Sequence, residues 1–335
     1  MSPDISVVIP LRNEAPNLSE LHRELTATLA ASGQSYELIL VDDGSTDDTY
    51  RILAQLHASD PRVQVIRLRR NFGQTAAFAA GFARARGRCI VTSDGDLQND
   101  PGDIPAMIGM LDDGNDIVCG WRRDRKDPWL TRRLPSMLAN WLISRTTGVR
   151  LHDYGCSLKV FRSEVIRPLR LYGEMHRFIP AIASEQGVQI VEMVVNHRPR
   201  RFGASKYGLS RTVRVVLDLV TVKFLLSYST RPLQMFGPPG LLMGFGGVAI
   251  LGYLGYLRLV LGQAIGDRPL LLLGILLLFA GMQLVTLGLL AELQARTYHE
   301  SQSKPIYVIR DVLESVGAEE SDPTAERDVS SATPV

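Results

Sequence analysis

Along the first half of the chain, short apolar runs alternate with stretches in which apolar residues recur every three or four positions. The runs at 5–9, 36–41, 63–68 and 116–120, with Arg88-Cys89-Ile90-Val91-Thr92 between the last two, read as buried strands. The periodic stretches at 17–31, from Ser45 through His57, and at 75–86 read as helices. Strands and helices in this alternation predict a mostly parallel α/β sheet covered by helices. A further strand is expected at 188–196.

The second half breaks this pattern. Two stretches of about 22 residues, 239–261 and 269–290, are apolar apart from Arg258, and each is long enough to cross a bilayer as a helix. Only 262–268 separates them, which predicts a hairpin through a membrane. Before the first stretch stand Arg198, Arg200, Arg201, Lys206, Arg211, Arg214, Lys223 and Arg231, whereas the connecting loop offers chiefly Arg268 beside Asp267. Cations collect on the cytoplasmic side, so the large N-terminal part and both termini are expected there, on a multi-pass inner-membrane protein. Met1 leads straight to the run at 5–9, and no signal peptide is expected. The expected organisation is a cytoplasmic domain at 1–208, an interfacial helix at 209–232, two membrane helices within 233–292 and a cytoplasmic tail at 293–335. A net charge of +2 adds little, and no nucleic-acid partner is expected. Cys89, Cys119 and Cys156 lack metal-ligand spacing and read as packing residues.

The candidate chemistry lies where the strands end. Glu14, Asp42, Asp43, Asp94 and Asp96 follow three of them, and right-handed crossovers bring such ends to one edge of the sheet, where open α/β folds hold ligands. In extended backbone, Asp94, Asp96 and Gln98 would face one side, making an all-oxygen seat for Mg²⁺ or Mn²⁺ with a diphosphate as further ligand. Asn99-Asp100-Pro101 also looks like a helix start, so an acidic turn capping the next helix is the plainer reading of that stretch. Neither GxGxxG nor GxxxxGK[ST] occurs, which favours a diphosphate held by metal over one held by a glycine-rich loop.

Taken together, Val8-Ile9-Pro10 with Asn13-Glu14, Val41-Asp42-Asp43-Gly44-Ser45, Asn71-Phe72-Gly73-Gln74, Asp94-Gly95-Asp96-Leu97-Gln98 and Gly203-Ala204-Ser205-Lys206 resemble the family 2 glycosyltransferases. Within them the chain is similar to the polyprenyl-phosphate sugar transferases, the dolichol-phosphate-mannose-synthase-like group, and its two-span tail to a bacterial GtrB-like subgroup. The resemblance, covering about 5–230, implies a GT-A fold and inverting transfer of one sugar from a nucleotide diphosphate donor to polyprenyl phosphate. It implies that Pro10, Glu14 and Asp42 hold the nucleoside, that Asp94, Asp96 and Gln98 hold Mg²⁺ or Mn²⁺ on the diphosphate, and that Asp96 is catalytic. Two departures are Gly95, where relatives commonly carry Ala, and Arg12, where many have Tyr.

Past 116–120 the chain turns basic, and 129–147 carries an apolar stripe with two Trp residues and flanking Arg, as an interfacial helix would. Arginine suits a lipid phosphate, and the resemblance assigns the acceptor phosphate to Arg122, Arg132 and Ser136. Asp153 would stand by the reaction centre as base or second metal contact. The segment from Gly173 to Pro180 could line the sugar pocket; its similarity to glucosyl-transferring relatives implies glucose, with UDP-glucose as donor, while galactose, an amino sugar and mannose stay open. His176 there reads as structural or sugar-contacting. Arg200 and Lys206 lie on a basic loop able to close over the donor. The stretch 209–230 is amphipathic, and Ile306-Tyr307-Val308-Ile309 is expected to pair or dock with a neighbouring subunit of a homo-oligomer. A processive polysaccharide synthase of the same fold is disfavoured because no Gln-x-x-Arg-Trp motif occurs and two spans are few for a channel. Acidic ligands together with a basic acceptor segment disfavour a non-catalytic scaffold.

Overall fold

The computed structural model describes residues 2–123, 144–145, 148–169, 171, 175–199, 233–266, 269–301 and 306–314. Seven strands of the N-terminal part, β1 (Ile5–Leu11), β2 (Tyr36–Asp42), β3 (Val63–Leu68), β4 (Cys89–Thr92), β5 (Ile117–Trp121), β6 (Lys159–Arg162) and β7 (Ile190–Val194), join a late strand, β8 (Ile309–Leu313). They form one sheet in the order β7-β5-β6-β4-β1-β2-β3-β8. β4-β1-β2-β3 and β5-β7 are parallel, while β6 and β8 run antiparallel to their neighbours. The mostly parallel α/β sheet expected from the alternation is therefore present.

Alternation along the strands sends side chains to two faces, each closed by helices. Val8, Ile39, Val41, Ile66 and Ile90 face α3 (Gln74–Arg84), whose small residues Ala77, Ala80 and Gly81 allow close approach. Val7, Ile9, Leu38, Leu40 and Val65 face α1 (Leu18–Ala31), α2 (Thr49–Ser59) and α4 (Ile104–Asp112) through Leu21, Leu25, Leu53 and Met107. From β1 the chain proceeds outward through β2 to β3 and then returns to place β4 on the other side of β1. That reversal makes the carboxyl ends of β1 and β4 the crevice of the fold.

Two long helices follow, α5 (Leu233–Leu259) and α6 (Pro269–Ser301). Their segments Phe236–Leu259 and Pro269–Ala291 are long and apolar enough to cross a membrane. They pack through glycines: a methyl added at Gly247 would lie 2.7 Å from the Leu278 backbone nitrogen, and one at Gly240 2.9 Å from the Gly281 carbonyl oxygen. Small residues in such contacts let helices approach where lipid offers no hydrophobic drive.

Two strands depart from expectation. β6 was not foreseen; it is a four-residue strand with Lys159 buried in it. The Ile306–Ile309 segment was expected at a neighbouring subunit, but in this chain β8 begins at Ile309 and pairs with β3, while Tyr307 and Ile309 pack on the same core. An edge strand left open attracts pairing, and β8 covers it.

Candidate active site

Three loops meet at the β1/β4 crevice. After β1, Asn13 takes a left-handed backbone (φ 54°). Its N–H donates to Ser45 Oγ at 3.0 Å, and its Oδ1 accepts from the Thr46 N–H at 2.9 Å. The Glu14 N–H donates to Thr49 Oγ1 at 3.0 Å, and its Oε2 accepts from Asn17 Nδ2 at 2.6 Å. The loops after β1 and β2 are thus stitched together. Gly44 is required between them: its φ is 65°, and a methyl there would lie 2.5 Å from the Arg70 carbonyl carbon.

The paired acids after β2 work from beneath these loops. Asp43 accepts the N–H groups of Phe72 and Gly73 at 2.7 and 3.0 Å, fixing the turn into α3. Burial pushes its carboxyl above the ordinary range, against those two bonds. Asp42 is fully buried; its Oδ1 accepts the Ser45 N–H at 2.9 Å, and its Oδ2 has no hydrogen-bond partner. Asp42, which the resemblance assigns to the nucleoside, has no exposed surface here and braces the loop through Ser45. Pro10 and Glu14 are half-buried at the crevice.

The third loop corrects the extended-strand geometry expected for Asp94, Asp96 and Gln98. β4 stops at Thr92, Leu97 adopts a left-handed backbone (φ 62°), and Asp96 Oδ1 accepts the Gln98 N–H at 3.2 Å. The acids therefore sit on a tight turn. Asp94 Oδ1 accepts Gln74 Nε2 from the first turn of α3 at 2.7 Å. Asp96 is nearly buried, whereas Asp94 and Gln98 are half-buried. Among the described residues, no group of three or more His, Cys, Asp or Glu side chains could hold a metal. Two carboxylates and one amide carbonyl suit a hard cation that takes its other ligands from a substrate's phosphates. The residues present fit that use.

Arg122 and Asp153, assigned separate roles from the sequence, are partners. Arg122 Nε and Nη2 donate to Asp153 Oδ2 and Oδ1 at 2.7 and 3.0 Å, with side chains 13% and 4% exposed. Gly155 N–H adds a bond to Asp153 Oδ1 at 3.1 Å. Burial opposes the guanidinium charge, but Asp153, with a contribution from Asp94, outweighs it and holds Arg122 above its ordinary range. In this arrangement Asp153 is paired with Arg122 and fixes the orientation of its guanidinium. Arg132, Ser136, Arg200 and Lys206, and the helices expected at 129–147 and 209–230, lie outside the described residues.

Other contacts at this edge were not assigned from the sequence. Arg198 donates its N–H to the Gln98 carbonyl at 2.9 Å and pairs with Glu24 and Asp100 at 2.6 and 2.7 Å, so the chain just before Arg200 runs beside the acidic turn. His176 Nδ1 is 2.8 Å from Thr75 Oγ1, and Arg177 Nε donates to His176 Nε2 at 3.4 Å. The arginine can only donate, so Nε2 accepts and Nδ1 carries the proton toward Thr75. The three cysteines are buried and form no disulfide, with burial raising Cys89 to about 11 and Cys119 to about 12, as packing residues should be.

The fold resembles that of GT-A glycosyltransferases. Glucosyl-3-phosphoglycerate synthase from Mycobacterium tuberculosis, solved with Mn²⁺ and UDP-glucose, superposes with a TM-score of 0.52 at 20% identity, covering 68% of this chain and 81% of that one. The match extends to sequence, since residues 6–170 fit the family model "Glycosyl transferase family 2". A dodecaprenyl-phosphate galacturonate synthase of Rhizobium johnstonii is 47% identical over 93% of both chains. An undecaprenyl-phosphate 4-deoxy-4-formamido-L-arabinose transferase of Edwardsiella ictaluri is 40% identical over 92% of this chain and 94% of that one. The chain belongs to glycosyl transferase family 2 and is a glycosyltransferase.

Proposed function

We propose that this enzyme transfers one sugar from a nucleotide diphosphate to a polyprenyl phosphate at the cytoplasmic face of a membrane. The observation that carries this reading is one chain holding both an acidic, two-carboxylate crevice and two membrane-length helices. Support for the lipid acceptor comes from the two relatives named for polyprenyl phosphates, matched over more than nine-tenths of each chain. The nucleotide is taken to be uridine diphosphate, following the ligand of the M. tuberculosis enzyme.

In this reading Asp94, Asp96 and Gln98 hold a divalent cation, Mg²⁺ or Mn²⁺, against the diphosphate. The bound cation supplies Lewis-acid compensation for charge on the departing nucleoside diphosphate. Gln74 fixes Asp94, and the Asp96 turn fixes Gln98, so the ligands are preorganised. Pro10 and Glu14 flank the nucleoside, while Asp42 supports their loop. Arg122, oriented by Asp153, presents its remaining donors to the lipid phosphate, and Arg132, Ser136, Arg200 and Lys206 contribute further contacts. A phosphate ionised at neutral pH is already a nucleophile, so no strong base is required for in-line, inverting attack on the anomeric carbon. The domain limits proposed are 1–208, 209–232, 233–292 and 293–335.

For the sugar, glucose gains no support from the relatives, which are named for galacturonate and a formamido-arabinose. Arg177 favours an acidic sugar. It is half-buried beside His176, which rests on Thr75 next to Gln74 and Asp94, and it has no carboxylate partner among the described residues. Guanidinium groups bind carboxylates in bidentate fashion. A nucleotide-galacturonate donor is therefore expected to outperform UDP-glucose.

The test supplies labelled nucleotide sugars and polyprenyl phosphate to membranes with Mg²⁺, Mn²⁺ or EDTA. A chloroform-soluble product lost with EDTA, and at least a hundredfold slower transfer in a folded Asp96→Ala variant, is expected. Absence of lipid product from every donor would overturn the proposal.

A further inference from the structure

We propose that Arg67 and Asp311 are positioning residues, through which the strand beyond the membrane hairpin sets the affinity for the donor. β8 lies antiparallel on β3 with Asp311 directly opposite Arg67. Arg67 Nη1 is 3.8 Å from Asp311 Oδ2, and its Nε is 3.7 Å from Asp42 Oδ2. The guanidinium carbon sits 4.0 Å over the centre of the Tyr50 ring on α2. Arg67 is thus held between an acid from the tail, an aromatic face and the acid beneath the donor loops.

Asp42 makes this placement consequential. It is fully buried, and its Oδ2 has no hydrogen-bond partner. Arg67 is its cationic partner among the described residues. A buried carboxylate is costly unless a cation faces it. Asp42 in turn holds the Ser45 N–H, and Ser45 Oγ holds the Asn13 N–H, so a continuous line of contacts runs from Asp311 through Arg67, Asp42 and Ser45 to the loop after β1. The end of that line is the crevice assigned to the nucleoside.

β8 is anchored well enough to act as a fixed support. The Val308 carbonyl accepts the Arg69 N–H at 3.0 Å, Tyr307 and Ile309 pack against one core face, Leu313 packs against the other, and Glu314 pairs with Arg84. A strand serving only to cover the edge of β3 would need the ladder and the apolar contacts, but not an acid opposite Arg67.

This assignment rests on the donor-binding half of the proposed function and is separable from the lipid acceptor. The experiment measures UDP binding to the full-length protein in detergent with Mn²⁺ by calorimetry, and kcat and donor KM for transfer where product forms. Asp311→Asn, which keeps shape and removes charge, is expected to raise the Kd for UDP about three- to fivefold, the range of a partly exposed ion pair. Its kcat at saturating donor should stay within twofold. Arg67→Gln should weaken UDP binding by more than about tenfold because Asp42 loses its cation, and Arg67→Lys should recover part of that loss. If Arg67→Gln does not fold, Asp311→Asn and Arg67→Lys decide the question. Unchanged UDP affinity in Asp311→Asn, or a fall in kcat without a change in donor affinity, overturns the proposal. Wild-type protein that binds UDP, responds to these substitutions and yet makes no lipid product overturns the acceptor reading while leaving this one standing. Failure of wild-type protein to bind UDP overturns the present proposal.

Discussion

The Arg122–Asp153 pair gives the site a measurable signature at the level of single residues. Both side chains are nearly buried and joined by two short hydrogen bonds. Removing either partner leaves a charge without compensation, which costs about 3–5 kcal/mol in buried pairs. Asp153→Asn and Arg122→Met are each expected to lower the thermal midpoint in detergent, and the double variant to lose less than the sum of the two. Additive losses, or an Asp153→Asn protein of wild-type stability that has merely lost turnover, would return Asp153 to the role of a lone base. The sequence shows both residues but not the pairing, because they lie 31 positions apart and meet only when β5 and the loop before β6 are brought together. The acidic turn shows the converse. Its three oxygen donors are legible from their spacing, yet the reason given by an extended strand is wrong, since nothing in Asp96-Leu97-Gln98 announces a leucine with φ of 62°.

Among elements, those with strong periodicity were readable and short ones were not. β1, β2, β3 and β5 agree with their apolar runs to within two residues, because burial on both faces leaves long stretches of Val, Ile and Leu. β6 has four residues with Lys159 inside it, and β8 carries Arg310 and Asp311 on an exposed edge, so neither has an apolar run to betray it. The two long helices were evident from hydropathy, but their mode of contact was not. Gly240 and Gly247 on α5 meet Gly281 and Gly274 on α6, and the pair on each helix is separated by one heptad, which keeps both glycines on one face. Gly247→Leu would drive a side chain into the backbone at Leu278 and Gly274, whereas a methyl added at Gly252 meets nothing within 4 Å. Gly247→Leu is expected to destabilise the full chain in detergent by about 1–3 kcal/mol, the usual cost of overpacking, with Gly252→Leu close to wild type. Equal melting of the two variants would show that the glycine contact does not hold the hairpin.

For the whole molecule, the sheet itself restricts how the chain crosses a membrane. β3 precedes the two long helices and β8 follows them, yet the two strands are hydrogen-bonded neighbours. For helices that span a membrane, this pairing requires the sequence before and after them to lie on one side, as a hairpin would place it. The arginines before α5 lead to the same expectation of a hairpin and add to it the side on which the N-terminal part would lie. The β3–β8 pairing also places the donor crevice and the C-terminal strand in one compartment, as the Asp311–Arg67–Asp42 line of contacts needs. The native cysteines are buried, so a single introduced cysteine can report its own side. Ala264→Cys, in the short loop between the helices, is expected to react with a membrane-impermeant maleimide in intact spheroplasts, while Arg310→Cys on β8 should react only after permeabilisation. Labelling of both before permeabilisation, or of Arg310→Cys alone, would exclude a cytoplasmic catalytic domain carried on a two-helix hairpin.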